Sequence, residues 1–374
     1  MTSCMGEALF PTEVPEIGDR PLREAARTYR VALLIPLCGS AGLWAPSCIS
    51  SAQVAVRELN RGDGIAGRQV ELVMVDAALE APTPVEGVVH ELIEAGAIDA
   101  IVGMHISAVR QRLSKVVGQR VPYIYTPLYE GGEQTAGIFA IGETPDAQLG
   151  PALQYLQAQF RPRSWALIGN DYVWPRTSHA YAKAKLREMS VNLAFERYLP
   201  FGLRDMGRHV EELAASGAEA VLISLVGQDA VTFNRAFGTA GLDSRIMRLS
   251  CAVEENGLLA SGAENLKRLF SAASYFGALP TEANGAFKEK YYSLHGEHAP
   301  VLNAIGQSTY EGVHFLAGLL GHDRTAWRDG GRVIPGALAY NSARREHAPT
   351  VGEMRLPIYL ARADGVQFSV IKRI

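Results

Sequence analysis

The chemistry-bearing residues of this chain gather where apolar runs break into polar loops. The richest stretch is Ile168-Gly169-Asn170-Asp171-Tyr172-Val173-Trp174-Pro175-Arg176. The run Trp165 to Ile168 before it reads as a buried strand that breaks at Gly169, and Pro175 opens a helix, where a missing N–H costs least. Loops that leave a strand and enter a helix are where open α/β sheets place their ligands. This one offers Tyr172 and Trp174 but no nucleophile, metal ligand or phosphate cradle, so it reads as a shaped aromatic binding surface. Met104-His105-Ile106-Ser107 stands at a second such junction. Ser107 is a natural N-cap there, and the N–H groups around it face any polar ligand atom, although capping alone would also explain the serine. His105 reads equally as a pocket wall or as a satisfied edge histidine. Tyr125-Thr126-Pro127-Leu128-Tyr129-Glu130-Gly131 closes the next strand, which brings Tyr125 to the border of the same crevice.

Other motifs carry less. Gly62-Asp63-Gly64-Ile65-Ala66-Gly67 satisfies G-x-G-x-x-G but follows a helix and leads into a strand, the reverse of the dinucleotide order, so it reads as a helix end and a tight turn. His295 and His298 have no further ligand beside them, and Cys4, Cys38, Cys48 and Cys251 lack metal-ligand spacing. No catalytic residue, metal site or cofactor is expected. The chain has 374 residues, 48% hydrophobic and 20% charged, with a formal net charge of −3. That balance leaves no electrostatic footprint for nucleic acid, and no apolar stretch is long enough to insert in a membrane. Met1 to Thr28 is polar and acidic without the apolar run of a secretory signal, so a cytoplasmic location is expected, or a periplasmic one had a signal peptide been removed.

The elements that must hold these loops alternate as strand and helix nearly throughout, the pattern of parallel sheets with crossover helices. Arg30–Pro36, Val70–Val75, Ala100–Gly103, Tyr123–Tyr125 and Phe139–Ile141 read as the strands of a first winding unit. Ser164–Ile168, Ala194–Leu199, Ala220–Leu225 and Ile246–Ser250 belong to a second, and Leu269–Phe276 is one more strand after it. Leu356 to Ile371 reads as a β-hairpin turning at Asp364-Gly365. The expected fold is α/β, with two doubly wound, Rossmann-like lobes joined by three crossings. Residues 1–28 form a polar extension, 29–141 plus 279–326 the first lobe, and 142–278 plus 327–374 the second.

Taken together, these segments resemble the type I periplasmic binding protein family, and most closely its amide and urea branch, which includes the cytoplasmic amide sensors of aliphatic amidase operons. The resemblance runs from about Tyr29 to the final hairpin. It rests on Leu59-Asn60 with Gly64 to Arg68, Val102-Gly103 to Ser107, Tyr129-Glu130-Gly131, Ile168 to Tyr172 with Pro175-Arg176, and Leu225-Val226-Gly227. It implies that Ser107 hydrogen-bonds the ligand, that Tyr125 and Tyr172 line the pocket, and that Thr126-Pro127 passes the ligand's edge. Cys251 falls near a threonine of the third crossing segment. His105 and Trp174 stand where the amide sensor has tyrosines, which implies a reshaped pocket. The resemblance further implies a non-catalytic, intracellular sensor of a short amide, urea or similar neutral compound, acting through an antiterminator-type regulator protein. The alternative is the substrate-binding component of an ABC importer for amides, urea or branched-chain amino acids, with a transporter permease as partner. A homodimer is compatible with either. A neutral amide fits a pocket without charges, whereas an α-amino acid would need a buried acid for its ammonium, which Glu254 or Glu255 could supply.

Overall fold

The computed structural model describes residues 28–322, 324–328, 342–344 and 356–374. The N-terminal extension, save Thr28, and most of the stretch between Arg328 and Leu356 lie outside the described residues.

Two sheets organise the chain. The first is built from β1 (Thr28–Ile35), β2 (Gln69–Asp76), β3 (Ala100–Gly103), β4 (Tyr123–Tyr125) and β5 (Ile138–Ala140), in the order β2-β1-β3-β4-β5 with every pairing parallel. The second takes β6 (Ser164–Asn170), β7 (Asn192–Leu199), β8 (Ala220–Ser224), β9 (Met247–Ser250), β10 (Leu269–Ala273), β11 (Tyr359–Asp364) and β12 (Gln367–Arg373). Its order is β12-β11-β10-β9-β8-β6-β7, and only the last hairpin enters antiparallel. The central strands β3, β6, β8 and β9 are buried along their whole length, as parallel strands covered on both faces must be. This is the two-lobed α/β architecture that the strand–helix alternation predicts.

The crossover helices are α1 (Ala45–Asn60), α2 (Val85–Glu94), α3 (Ser107–Val117), α4 (Pro145–Phe160), α5 (Val173–Glu188), α6 (Gly207–Ala215), α7 (Gly227–Thr239) and α8 (Glu255–Ser261). After β10 the chain returns as α9 (Glu282–His295) and α10 (Ala304–His322), both of which pack on α1 of the first lobe. Three passages therefore join the lobes. They meet in one buried cluster, where Glu143 accepts from Ser274 N at 2.9 Å and Arg344 Nη2 donates to Glu311 at 2.6 Å. Arg344 Nη1 also reaches Ser274 Oγ at 3.3 Å, closing the cluster across the passages.

Several local expectations shift by a residue or two. Ser107 is the first residue of α3 rather than its cap, a position Ile106 takes without a side-chain bond. α5 begins at Val173 with Tyr172 as its N-cap, so Pro175 lies inside the first turn instead of opening it. The hairpin turns on Gly365-Val366, with Gly365 at φ +60°, because Asp364 still pairs with Gln367. The Gly62–Gly67 run is the expected turn, closed by a bridge between Ile65 and Arg68.

Candidate functional site

Both sheets reverse their winding direction once, between β1 and β3 in the first and between β6 and β8 in the second. At such switch points the loops beyond the strand ends diverge and leave a crevice. The two crevices face each other across about 320 Å³ of unfilled space, open solvent included. The first lobe supplies Trp44 after β1, Met104 to Ser107 after β3, and Tyr125, Pro127 and Leu128 after β4. The second supplies Tyr172 and Trp174 after β6, Val226 after β8 and Ala252 after β9, while Ile305 enters from the start of α10. No side chain in this lining carries a charge at neutral pH.

The polar groups of the first-lobe wall are tied to one another. Tyr125 Oη donates to the carbonyl of His105 at 2.7 Å, which uses its only proton. Ser107 Oγ lies 3.4 Å from the same phenol oxygen, so between these two the serine is the donor, and its lone pairs remain for a ligand N–H. The hydroxyl turns toward a ligand carbonyl equally well. The first N–H groups of α3 have no acceptor within their helix and add a partial positive potential at that spot.

His105 is 2% exposed. Its Nδ1 lies 3.2 Å from the carbonyl of Ile106, which can only accept, so Nδ1 carries the proton and Nε2 accepts from Tyr123 Oη at 2.7 Å. Burial drives its pKa down to about 3, with the nearby Arg110 and Arg112 adding to the effect. The ring is thus a neutral wall with both nitrogens engaged. Gly103 makes room for it, since a Cβ there would sit 2.8 Å from His105 Nε2. Behind the wall, the buried Arg110 holds its guanidinium 5.3 Å above the Tyr125 ring and 5.5 Å above Tyr129, and is itself neutralised by Glu130 and Glu133.

The second-lobe wall works by shape. The Tyr172 ring lies 6.3 Å from Trp174 and 5.4 Å from Phe201, and Trp174 is 3% exposed. Asn170, fully buried, donates to Asp229 at 2.7 Å and accepts from Val226 N at 2.9 Å, which locks the loop after β6 to the loop after β8.

Of the residues singled out in the sequence, His105, Ser107, Tyr125, Pro127, Tyr172 and Trp174 come together here. Thr126 and Cys251 do not line the cavity. The Thr126 hydroxyl points back to the carbonyl of Gly103 at 3.4 Å and its methyl packs toward Gly312 of α10, because alternate residues of an extended strand face opposite sides. Cys251 is buried with its thiol pKa raised by burial, and its neighbour Ala252 reaches the cavity instead. Trp44, Val226 and Ile305 were missed. The signal for Trp44 was present, because β1 also hands over to a helix through a loop and carries Pro46 at the helix start. Among the described residues, no group of three or more His, Cys, Asp or Glu is placed to hold a metal ion.

Comparison with known proteins agrees with this architecture. A family model described as periplasmic binding protein matches residues 28–329. An amino acid binding protein of Pseudomonas aeruginosa is 25% identical over 61% of this chain and 62% of its own. A leucine-, isoleucine-, valine-, threonine- and alanine-binding protein of the same organism is 22% identical over 60% of each. The chain thus spans about three fifths of the length of these curated relatives. Among solved structures, a solute-binding protein of an ABC transporter from Rhodopseudomonas palustris in complex with p-hydroxybenzoic acid superposes with a TM-score of 0.78 at 17% identity, covering 93% of this chain and 96% of that one. A branched-chain amino acid transporter substrate-binding protein from Streptococcus pneumoniae in complex with isoleucine gives 0.79 at 14% identity, covering 93% and 99%. At these identities the superpositions establish the fold.

Proposed function

We propose that this chain, which belongs to the type I periplasmic binding protein family, is the substrate-binding component of an ABC importer for a short amide, urea or related neutral solute. The observation that carries the ligand class is the uncharged cavity between the two switch points. It sets aromatic faces against a hydroxyl and helix N–H groups. A planar carbonyl compound slots between such rings, accepts from Ser107 and the first turn of α3, and needs no counter-ion. An ammonium group would have no acid in this lining, where Ala252 occupies the position beyond β9 that faces the space.

The importer reading takes precedence over an intracellular sensor because transporter-type binding proteins share the fold over nearly the whole chain. The sensor reading, with its regulator partner and cytoplasmic location, rests on the motif resemblance alone. An importer component works outside the cytoplasmic membrane and delivers its solute to a permease. The two lobes, 29–141 plus 279–326 and 142–278 plus 327–374, would close on the solute as a hinge, the ligand favouring the closed form by binding it better.

A thermal-shift screen over propionamide, butyramide, urea, leucine and 4-hydroxybenzoate tests the ligand class, since a compound that binds only the folded form raises the melting temperature. A shift with the amides or urea and none with the other two is the expected result. Stabilisation by leucine or 4-hydroxybenzoate alone would overturn the amide assignment. Fractionation of native cells tests the location, with recovery only in the cytoplasm counting against an importer.

A further inference from the structure

Away from the three passages, one short turn of the first lobe reaches across to the second. It spans Ser40–Trp44 after β1 and is fixed on its own lobe. Leu37 N just before it donates to Asp76 at 2.9 Å, and Gly42 N closes on the carbonyl of Gly39 at 3.2 Å. Ser40, Ala41 and Trp44 are buried, and α7 and α8 of the second lobe pack against the turn. Leu43 and Trp44 meet these helices across a seam that leaves only a water-sized gap.

Two residues of the second lobe shape the seat. Gly227 opens α7 at φ +51°, a left-handed conformation that glycine takes without strain. The Ser40 carbonyl lies where a side chain would be, since a Cβ on Gly227 would collide with its oxygen and stand 2.8 Å from its carbon. Asn256, on the first turn of α8, donates Nδ2 to the carbonyl of Leu43 at 3.0 Å, while its Oδ1 accepts from Gly257 N at 3.0 Å. Beside it Glu254 accepts from Ile305 N of the first lobe at 3.3 Å. Neither Gly227 nor Asn256 lines the solute cavity, but the turn ends in Trp44, which does. Opening the cleft would return Ala41, Leu43 and Trp44 to water and break the bond to Asn256, so the seat favours closure on its own account.

We infer that the Ser40–Trp44 turn is a latch, with Gly227 and Asn256 as positioning residues that hold the lobes closed and seat Trp44 against the solute cavity. Part of the closing free energy then comes from lobe-to-lobe contact, and the closed form is populated before a solute arrives. Affinity is scaled by that population, so residues that never touch the solute set how tightly it is held. The inference rests on the reading of the lobes as a hinge, and not on the class of solute.

Small-angle X-ray scattering of the full chain without solute tests it on wild type, Gly227→Ala, Asn256→Asp and Gly241→Ala. Gly227→Ala places a methyl against the Ser40 carbonyl, and Asn256→Asp keeps the acceptor for Gly257 N while removing the donor to Leu43. Gly241, at φ +68° with nothing within 4 Å of a Cβ, carries the same backbone strain without the collision. The radius of gyration should rise in Gly227→Ala and Asn256→Asp and keep its wild-type value in Gly241→Ala. Calorimetry with propionamide should show binding at least about tenfold weaker in Gly227→Ala and about fivefold weaker in Asn256→Asp, the latter equivalent to one hydrogen bond. Should Gly227→Ala fail to unfold cooperatively in urea, Asn256→Asp alone decides. If propionamide does not bind wild type, the amide reading fails while scattering still judges the latch. The latch is overturned if both seat variants scatter as wild type does, if both bind propionamide as tightly, or if Gly241→Ala opens the chain as far as Gly227→Ala.

Discussion

The cluster that joins the three passages and the wall of the cavity are equally buried, yet they treat polarity in opposite ways. At the passages the groups are charged and paired, with Arg344 and Glu311 each 1% exposed and Ser342 and Gln307 adding hydrogen bonds to the same carboxylate. At the cavity His105, Ser107 and Tyr125 are all neutral, and Ser107 retains capacity for a partner. On the proposed reading, the difference separates a pivot from a binding wall. A pivot that several chain segments share must hold one geometry, and buried ion pairs are costly to break on one side only. A binding wall must instead stay intact when empty and still have something to offer.

The comparison breaks most visibly at Arg344. Arg344→Met leaves Glu311 buried without its counter-ion, and such one-sided losses cost about 3–5 kcal/mol. Urea denaturation should show the midpoint falling at an unchanged slope. The double variant Arg344→Met with Glu311→Met should recover a large part of that loss, since no orphaned charge remains. If the single variant is as stable as wild type, the cluster is no pivot.

The cavity wall should respond in the other currency. Tyr172→Ala removes an aromatic face and Ser107→Ala one hydroxyl, so binding of the best amide should weaken by up to about 3 kcal/mol and about 1 kcal/mol respectively. Calorimetry reads both, and the urea midpoint should stay close to wild type for Ser107→Ala. Variants that unfold more readily but bind unchanged would place these residues with the structural groups after all.

The contrast also explains what the sequence could and could not disclose. Strands such as Val31 to Ile35 and Ala220 to Ser224 announce themselves, because continuous burial demands continuous apolar runs. The loops after β3 and β6 were legible too, because a strand end followed by a helix start is a local pattern, whereas the loop after β4 runs into β5. Ser107 and Tyr172 line the cavity although their helix positions differ from expectation by a residue, since a cap and a first-turn residue occupy nearly the same place. Thr126 lies outside the cavity lining because strand alternation, which turns it toward Gly312, depends on a register that one residue of slip inverts. Glu311 and Arg344 had no local signal at all. Their pairing joins a helix to a segment 33 positions away, and only the packing of the passages brings them together.

The finest test concerns charge at the wall itself. His105 holds a pKa near 3 and His179, buried on α5, one near 4, in each case mainly through burial. In the unfolded chain both titrate near 6.5. Between pH 7 and pH 6 the unfolded state therefore takes up protons that the native rings refuse, so stability falls as the pH falls. Each ring should contribute about 0.7 kcal/mol of that fall, from the linkage relation with an unfolded value near 6.5. His105→Gln, which keeps an acceptor for Tyr123, should flatten the slope by about this amount, and His179→Phe by a similar one. If the proposed amide reading holds, affinity should stay level over the same interval in the wild type, because no side chain of the cavity lining changes charge. A slope indifferent to His105→Gln would mean that the ring takes its proton in the folded protein, and the cavity would then share the charged character of the pivot.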